Sequence, residues 1–197
     1  MTSENTLEVR RQLFHLILGC AIAVSVWILK PVIGNLILIP LFAALTILLA
    51  IPKMAPKLMI SNKLLTHFER KKDVKRFPYK GAIFYGIGIS FPIMLLNTEL
   101  ACVVILILSI GDAFSTLIGR FYGKQRIGNK TIEGTLAFIM FSLAGCLLFL
   151  RISNSMAIEK TTIWLVLLGA LIELQEKVDD NLAVPITLSL VARLLNL

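Results

Sequence analysis

Uninterrupted apolar runs fill most of this chain, and they limit what it can fold into more than any other feature. Seven can be marked: Leu13–Leu29, Pro31–Ile51, Gly81–Leu96, Leu100–Ile118, Thr135–Leu150, Thr161–Leu174 and Leu182–Leu197. A β-barrel would show short alternating segments, whereas these runs are continuous and mark helices. Across 197 residues the mean hydropathy is +0.84 and only 16% are charged, against about 25% in an ordinary soluble domain. An ordinary soluble domain, a disordered chain and a membrane anchor bearing a large soluble head are all excluded. The expected fold is all-α: a polytopic integral membrane protein of about seven transmembrane helices, forming one embedded domain over residues 1–197.

Several runs are short for the task. A span needs about 20 residues, and Thr161–Leu174 supplies 14. Such helices must borrow flanking polar residues, which then lie below the lipid surface in a protein-lined cavity. The first run follows Arg10-Arg11 but is too long for a signal-peptide core and ends without a clear cleavage site, so it reads as a retained helix.

Seven spans put alternate loops on opposite sides. Of the 20 Lys and Arg, 16 fall with the N-terminus and the loops 52–80, 119–134 and 175–181, and 4 fall on the other side. The positive-inside rule places the N-terminus and those three loops in the cytoplasm. The net charge of +8 is gathered in these loops, so the partners it suggests are a membrane surface or phosphorylated ligands, not nucleic acid. The long loop ends in KRFPYKG, where Arg76 and Lys80 lie nearest the third run and within reach of a recessed phosphate. Cys20, Cys102 and Cys146 each sit inside an apolar run without metal-ligand spacing and read as small buried residues.

Three segments carry candidate chemistry. The first is SIGDAFSTLIGR, where Asp112 stands inside the fourth run. An intramembrane carboxylate is costly and needs a polar cavity and a partner, so Asp112 is a functional candidate. Ser115, Thr116 and Gly119 share its helix face at i+3, i+4 and i+7. The second is GRFYGKQRIGNKTIEG, whose cations Arg120, Lys124, Arg126 and Lys130 alternate with Gly119, Gly123, Gly128 and Gly134. Glycines permit close backbone approach and spaced cations suit phosphate oxygens, although a basic loop obeying topology has the same composition. No P-loop pattern is present. The third is ELQEKVDDNLAVP. At helical spacing Glu173, Glu176 and Asp180 line one face, and Asp179, Asp180 and Asn181 offer oxygens of the kind Mg²⁺ prefers, besides a helix cap. His67 reads as a solvated loop residue. His15, one turn after Arg11, reads as lining the cytoplasmic cavity, and neither histidine suggests a metal site.

GDAFSTLIGRFYGKQRIGNKTIEGTLAF resembles the signature of the CTP-dependent lipid kinases: dolichol kinase, phytol kinase and the CTP-dependent diacylglycerol kinase. KRFPYKGAIFYGIG, DDNLAVPI and LEVRRQLFHLILG resemble three further blocks of that family, in the same order, with Arg11 where Lys is commoner. The resemblance implies a single membrane-embedded kinase domain that transfers the CTP γ-phosphate to a lipid alcohol with a divalent metal, Mg²⁺ or another, at the cytoplasmic face of the cell membrane. It implies Asp112 as metal ligand or base, and Arg120, Lys124 and Lys130, with Arg76, Lys80, Gly119 and Gly123, around the phosphates. Glu133, Asp179, Asp180 and Asn181 would then complete the metal and nucleotide site. Related CDP-diacylglycerol synthases make a cytidylyltransferase acting on phosphatidic acid the alternative. A small transporter binding an ion at Asp112 is a third reading, weakened by the absence of an internal repeat.

Overall fold

The computed structural model describes residues 3–54, 77–175 and 178–196. Among these are seven α-helices, one for each apolar run: α1 (Ser3–Ile33), α2 (Leu38–Met54), α3 (Lys80–Leu95), α4 (Thr98–Tyr122), α5 (Ile132–Ile152), α6 (Glu159–Glu173) and α7 (Asp180–Leu194). Short 3₁₀ turns at Gly34–Ile37 and Met156–Ile158 lead into α2 and α6. Between α4 and α5 the chain forms an antiparallel hairpin, β1 (Arg126–Ile127) with β2 (Lys130–Thr131), turning at Gly128 with φ of +61°. The sequence reading did not anticipate this hairpin.

The helix α4 is the axis of the fold. From Leu100 to Ile110 its residues are apolar on every side except at Ser109, and all of them are buried, as such a helix requires. Asn97 caps its start by accepting from the Leu100 N–H at 2.9 Å. The helices α5 and α1 pack most extensively on α4, and α3 pairs mainly with α7. Phe138, Ile89, Leu165 and Leu188 close around α4 from four other helices. All three cysteines are free, with Cys102 and Cys146 fully inside.

Small residues set the distance between α4 and α5. A side chain at Gly111 would run into Phe138 and Ser142, and one at Gly145 into Ile110. Ser142 Oγ donates across the interface to the Ile107 carbonyl at 3.4 Å. This is the small-residue packing that brings helices together where the solvent outside is itself apolar. The outer surface carries Ile17, Val32, Ile39, Met140, Leu148, Trp164 and Leu171, all well exposed. Three helical stretches, Glu4–Ala50, Thr98–Tyr122 and Ile132–Ile152, are long and apolar enough to cross a bilayer. The chain is an all-α membrane protein in architecture, with the hairpin as its only strands among the described residues.

Helix ends extend beyond the apolar runs. The helix α1 begins ten residues before Leu13, α4 continues to Tyr122, and α5 opens at Ile132, so Gly119, Arg120, Glu133 and Gly134 are helical and not loop. Conversely α6 stops at Glu173 and α7 starts at Asp180. Glu173 and Asp180 therefore belong to different helices, which corrects the single-face reading of that segment. Glu176 and most of the 52–80 loop, including Arg76, lie outside the described residues.

Overpacking of this kind costs about 1–3 kcal/mol. Gly111→Ala should therefore lower the melting temperature of the detergent-purified protein. Gly81→Ala, where an added Cβ meets nothing, should leave it unchanged or slightly raised; scanning fluorimetry of the two variants side by side checks the difference.

Candidate active site

A cavity of about 430 Å³ opens at the polar end of the helices. Ser115, Thr116, Gly119 and Arg120 of α4 form one wall, and Arg126, Asn129, Lys130 and Thr131 of the hairpin another. Gly134 and Thr135 of α5, Glu173 of α6 and Glu8 of α1 complete it. The glycines explain how the hairpin reaches α4. Thr131 caps α5 by accepting from the Gly134 N–H at 3.1 Å, and its side chain fills the space that a Cβ at Gly119, Gly123 or Gly134 would occupy.

Lys130 is the junction of the site. Its Nζ donates to Glu173 Oε1 at 2.5 Å and to Asp180 Oδ2 at 2.7 Å, linking β2 with α6 and α7. Ser115 Oγ donates to the same Glu173 oxygen at 2.9 Å, which brings in α4. Burial opposes the charge on Lys130, but the two carboxylates outweigh it and hold the ammonium above the ordinary lysine range. Burial pushes Asp180 up to about 7 against the pull of Lys130, and the carboxylates of Asp112 and Glu173 add to that push. One cation thus serves a cluster of acids.

Arg120 is tied to the first helix: its Nε donates to Asn5 Oδ1 at 2.8 Å and its Nη1 lies 3.7 Å from Glu8 Oε2. Glu8, 2% exposed, also accepts from Arg11 at 2.6 Å and from Gln12 at 3.3 Å. At the start of α7, Asp179 caps the helix, accepting from the Asn181 N–H at 3.3 Å and its Nδ2 at 3.1 Å, and meets Lys80 Nζ at 3.3 Å. Asp112 stands one turn deeper than Ser115, with its Oδ2 3.9 Å from His15 Nε2.

The structure thus brings Gly119, Arg120 and Lys130 to one cavity, and joins Asp180 to it through Lys130. Lys80, Asp179 and Asn181 form a second group beside it. Lys124 is exposed and does not line the cavity, and Gly123 packs on Thr131. Glu133 accepts from the Gln125 N–H at 3.3 Å and braces the loop from outside the cavity. Arg76 lies outside the described residues. Two acids were not singled out as site residues from the sequence. Glu8 lies in the block LEVRRQLFHLILG, which carried no role for it. Glu173 was placed on a carboxylate face but not in the metal or phosphate set, and it is 1% exposed at the centre of the network.

Divalent-metal binding can be tested against the donors present. Among the described residues no three His, Cys, Asp or Glu side chains converge to hold an ion. Mg²⁺ asks for less, one or two carboxylates with waters and phosphate oxygens. Asn181 Oδ1 and Glu173 Oε2 are buried oxygens without hydrogen-bond partners, and an oxygen-seeking cation suits both. Carboxylate and amide oxygens are the donor types that Mg²⁺ takes, and these two stand in neighbouring groups of the site.

An uncharacterized protein of Methanocaldococcus jannaschii is 32% identical over 186 residues, covering 90% of this chain and 88% of that protein. The dolichol kinase of Saccharomyces cerevisiae is 31% identical over 121 residues, 58% of this chain. CTP-dependent diacylglycerol kinase 1 of Eremothecium gossypii is 32% identical over 83 residues, 41% of this chain. The chain spans about a quarter of the length of each kinase, 23% and 26%. No protein-family model and no solved structure matches it. The cavity thus lies at one end of an all-α membrane body and is lined by Arg120, Arg126 and Lys130 together with Glu8 and Glu173. The chain is thus a near-full-length relative of the Methanocaldococcus jannaschii protein, and its partial homologues, dolichol kinase and a CTP-dependent diacylglycerol kinase, support the CTP-dependent lipid kinase family.

Removing one partner of a buried ion pair costs about 3–5 kcal/mol. Lys130→Met should therefore destabilise the protein strongly, since it strands Glu173 and Asp180. Adding Glu173→Gln to Lys130→Met should restore part of the lost melting temperature. A double-mutant cycle on thermal unfolding measures that coupling.

Proposed function

We propose that this protein transfers the γ-phosphate of CTP to the hydroxyl of a membrane lipid alcohol, giving the lipid phosphate and CDP. The observation that carries this reading is vertical order along α4. Asp112 lies one turn deeper than the wall of a cavity framed by Arg120, Arg126 and Lys130. A nucleotide arriving from water meets the cations first, while a lipid alcohol arriving from the bilayer meets the carboxylate. The acceptor belongs to the polyprenol, dolichol, phytol or geranylgeraniol type.

Phosphoryl transfer asks the protein mainly for positioning and charge stabilisation. Arg120 and Lys130 offset phosphate charge from the cavity wall, with Lys124, Gly119 and Gly123 in the same loop region and Arg76 and Lys80 at the start of α3. The lipid oxygen attacks the γ-phosphorus, the bridging bond to the β-phosphate breaks, CDP leaves, and the hydroxyl proton passes to Asp112. Asp112, Asp179 and Asp180, with Asn181 Oδ1, are the residues that would hold Mg²⁺, whose positive charge would offset that of the phosphates. Lys130 would exchange its acid partners for phosphate oxygens, and Glu133 would hold the loop that carries it.

The seven apolar runs and the gathering of Lys and Arg with the N-terminus and alternate loops support a seven-span topology with the N-terminus and the cavity in the cytoplasm. The 15 residues of α6 and of α7 reach about 22 Å, which leaves their polar ends recessed. Cysteine labelling in intact cells should find residue 127, in β1, protected from an impermeant reagent and residue 154, after α5, accessible. The reverse pattern would put the cavity on the wrong side for CTP.

Activity is tested on detergent-purified protein with CTP, Mg²⁺, a panel of lipid alcohols and phosphatidic acid. CDP release with an alcohol supports the kinase. Pyrophosphate release with phosphatidic acid would instead indicate a cytidylyltransferase, and no turnover with any lipid would favour a transporter. Asp112→Asn should lower turnover by about two orders of magnitude or more, because general-base help alone is worth about 10²–10⁴-fold. Its melting temperature should stay at or above that of the wild type, because a neutral amide is cheaper to bury than a carboxylate.

A further inference from the structure

One turn below the cavity, α1, α3 and α4 enclose a small polar gap that the proposed reaction leaves unexplained. His15 Nε2 is buried and has no hydrogen-bond partner. It faces Asp112 Oδ2 at 3.9 Å, beyond the reach of a direct hydrogen bond. Both side chains keep some exposure, 16% for His15 and 15% for Asp112, although the Nε2 atom itself is buried. The imidazole is held in place. Tyr85 packs edge-on against it with ring centroids 4.3 Å apart, and the Tyr85 hydroxyl is bonded to Ser109 Oγ at 2.8 Å. Gly19, one turn along α1 from His15, rests on that pair, where any side chain would collide with the Tyr85 and Ser109 oxygens. A fixed ring whose buried nitrogen finds no partner in the fold calls for an explanation, and a ligand group is one.

The chemistry of the gap narrows the occupant. One imidazole and one carboxylate make a poor Mg²⁺ site, since that ion takes oxygen ligands. A phosphate monoester would be repelled by Asp112. A neutral hydroxyl fits both sides, because it accepts one hydrogen bond and donates one. An oxygen about 2.8 Å from each of the two atoms spans a 3.9 Å gap.

Building on the kinase reading, we propose that the His15–Asp112 gap is the seat of the acceptor alcohol's hydroxyl. The His15 Nε2–H donates to the lipid oxygen, and the lipid hydroxyl donates its hydrogen to Asp112. The oxygen keeps a lone pair for a phosphorus held one turn above, at the level of Ser115 and Thr116. His15 is then the residue that recognises and orients the alcohol, and Tyr85, Ser109 and Gly19 position it.

Binding is measured first without nucleotide, so that it is read separately from turnover. Phytol and dioleoylglycerol are each compared with an analogue lacking the hydroxyl, by thermal shift of the purified wild type and of His15→Ala, His15→Phe and His15→Gln. The wild type should be stabilised more by the alcohol than by its analogue. His15→Ala and His15→Phe should lose that difference, and His15→Gln, which retains an N–H donor, should recover part of it. In turnover assays, loss of one buried hydrogen bond should raise KM for the alcohol by about tenfold and leave KM for CTP unchanged. A folded His15→Ala or His15→Phe that still separates alcohol from analogue overturns the proposal, as does a wild type that never separates them. A rise in both KM values together overturns it too. If hydroxyl recognition depends on His15 but no CDP forms, the seat stands and the kinase reading falls.

Discussion

A carboxylate withdrawn from water must be met by a cation or a donor, and this apolar body withdraws several at one end. How each is met decides which helices touch there. Glu8 is answered by Arg11, Gln12 and Arg120, which fastens α1 to the end of α4. Glu173 is answered by Ser115 and Lys130, which fastens α6 to α4 and to the hairpin. Asp180 shares Lys130, and Asp179 takes Lys80, so α7 is held against both the hairpin and α3. Among the described residues the apolar end has fewer such ties, with Lys30 donating to the Leu96 carbonyl and Asn35 to that of Met94. The contrast gives the molecule a polar end organised by charge and an apolar body organised by shape.

The seven helices were legible because continuous apolar runs leave few other solutions for a backbone that must satisfy its own hydrogen bonds. Their ends were less legible, since a polar residue continues a helix when a tertiary partner awaits it. Ser3 to Gln12 precedes the first apolar run, yet Glu8 and Gln12 are among the most buried of the described residues. Nothing local announces this; the Glu8–Arg120 contact joins residues more than a hundred positions apart. The hairpin had a local signal, Gly128-Asn129 between the pairs Arg126-Ile127 and Lys130-Thr131, but strands of two residues carry no alternating pattern to confirm it.

The carboxylates Glu173 and Asp180 show a different limit. Seven residues apart, they suggest two turns of a single helix, and they do lie on one cation. They arrive there from separate helices, because α6 ends at Glu173. Spacing identified the company these residues keep but not the route. His15 is similar: one turn after Arg11 it looked like a wall of the cytoplasmic cavity, and it lies deeper, against Asp112 and Tyr85.

The hairpin has too few ladder bonds to stand by itself; isolated two-stranded ribbons of any length are marginal in water. Its position is therefore set by its ties to the helices, with Thr131 seated on the glycines of α4 and α5, Glu133 bracing Gln125, and Lys130 held by Glu173 and Asp180. Whatever competes for Glu173 and Asp180, or draws Lys130 away from them, also loosens the latch between the hairpin and the last two helices. By linkage, a ligand that favours the unlatched form must bind more weakly the more firmly the latch is shut. The same three side chains thus give the cavity its charge balance and give its rim a threshold for movement.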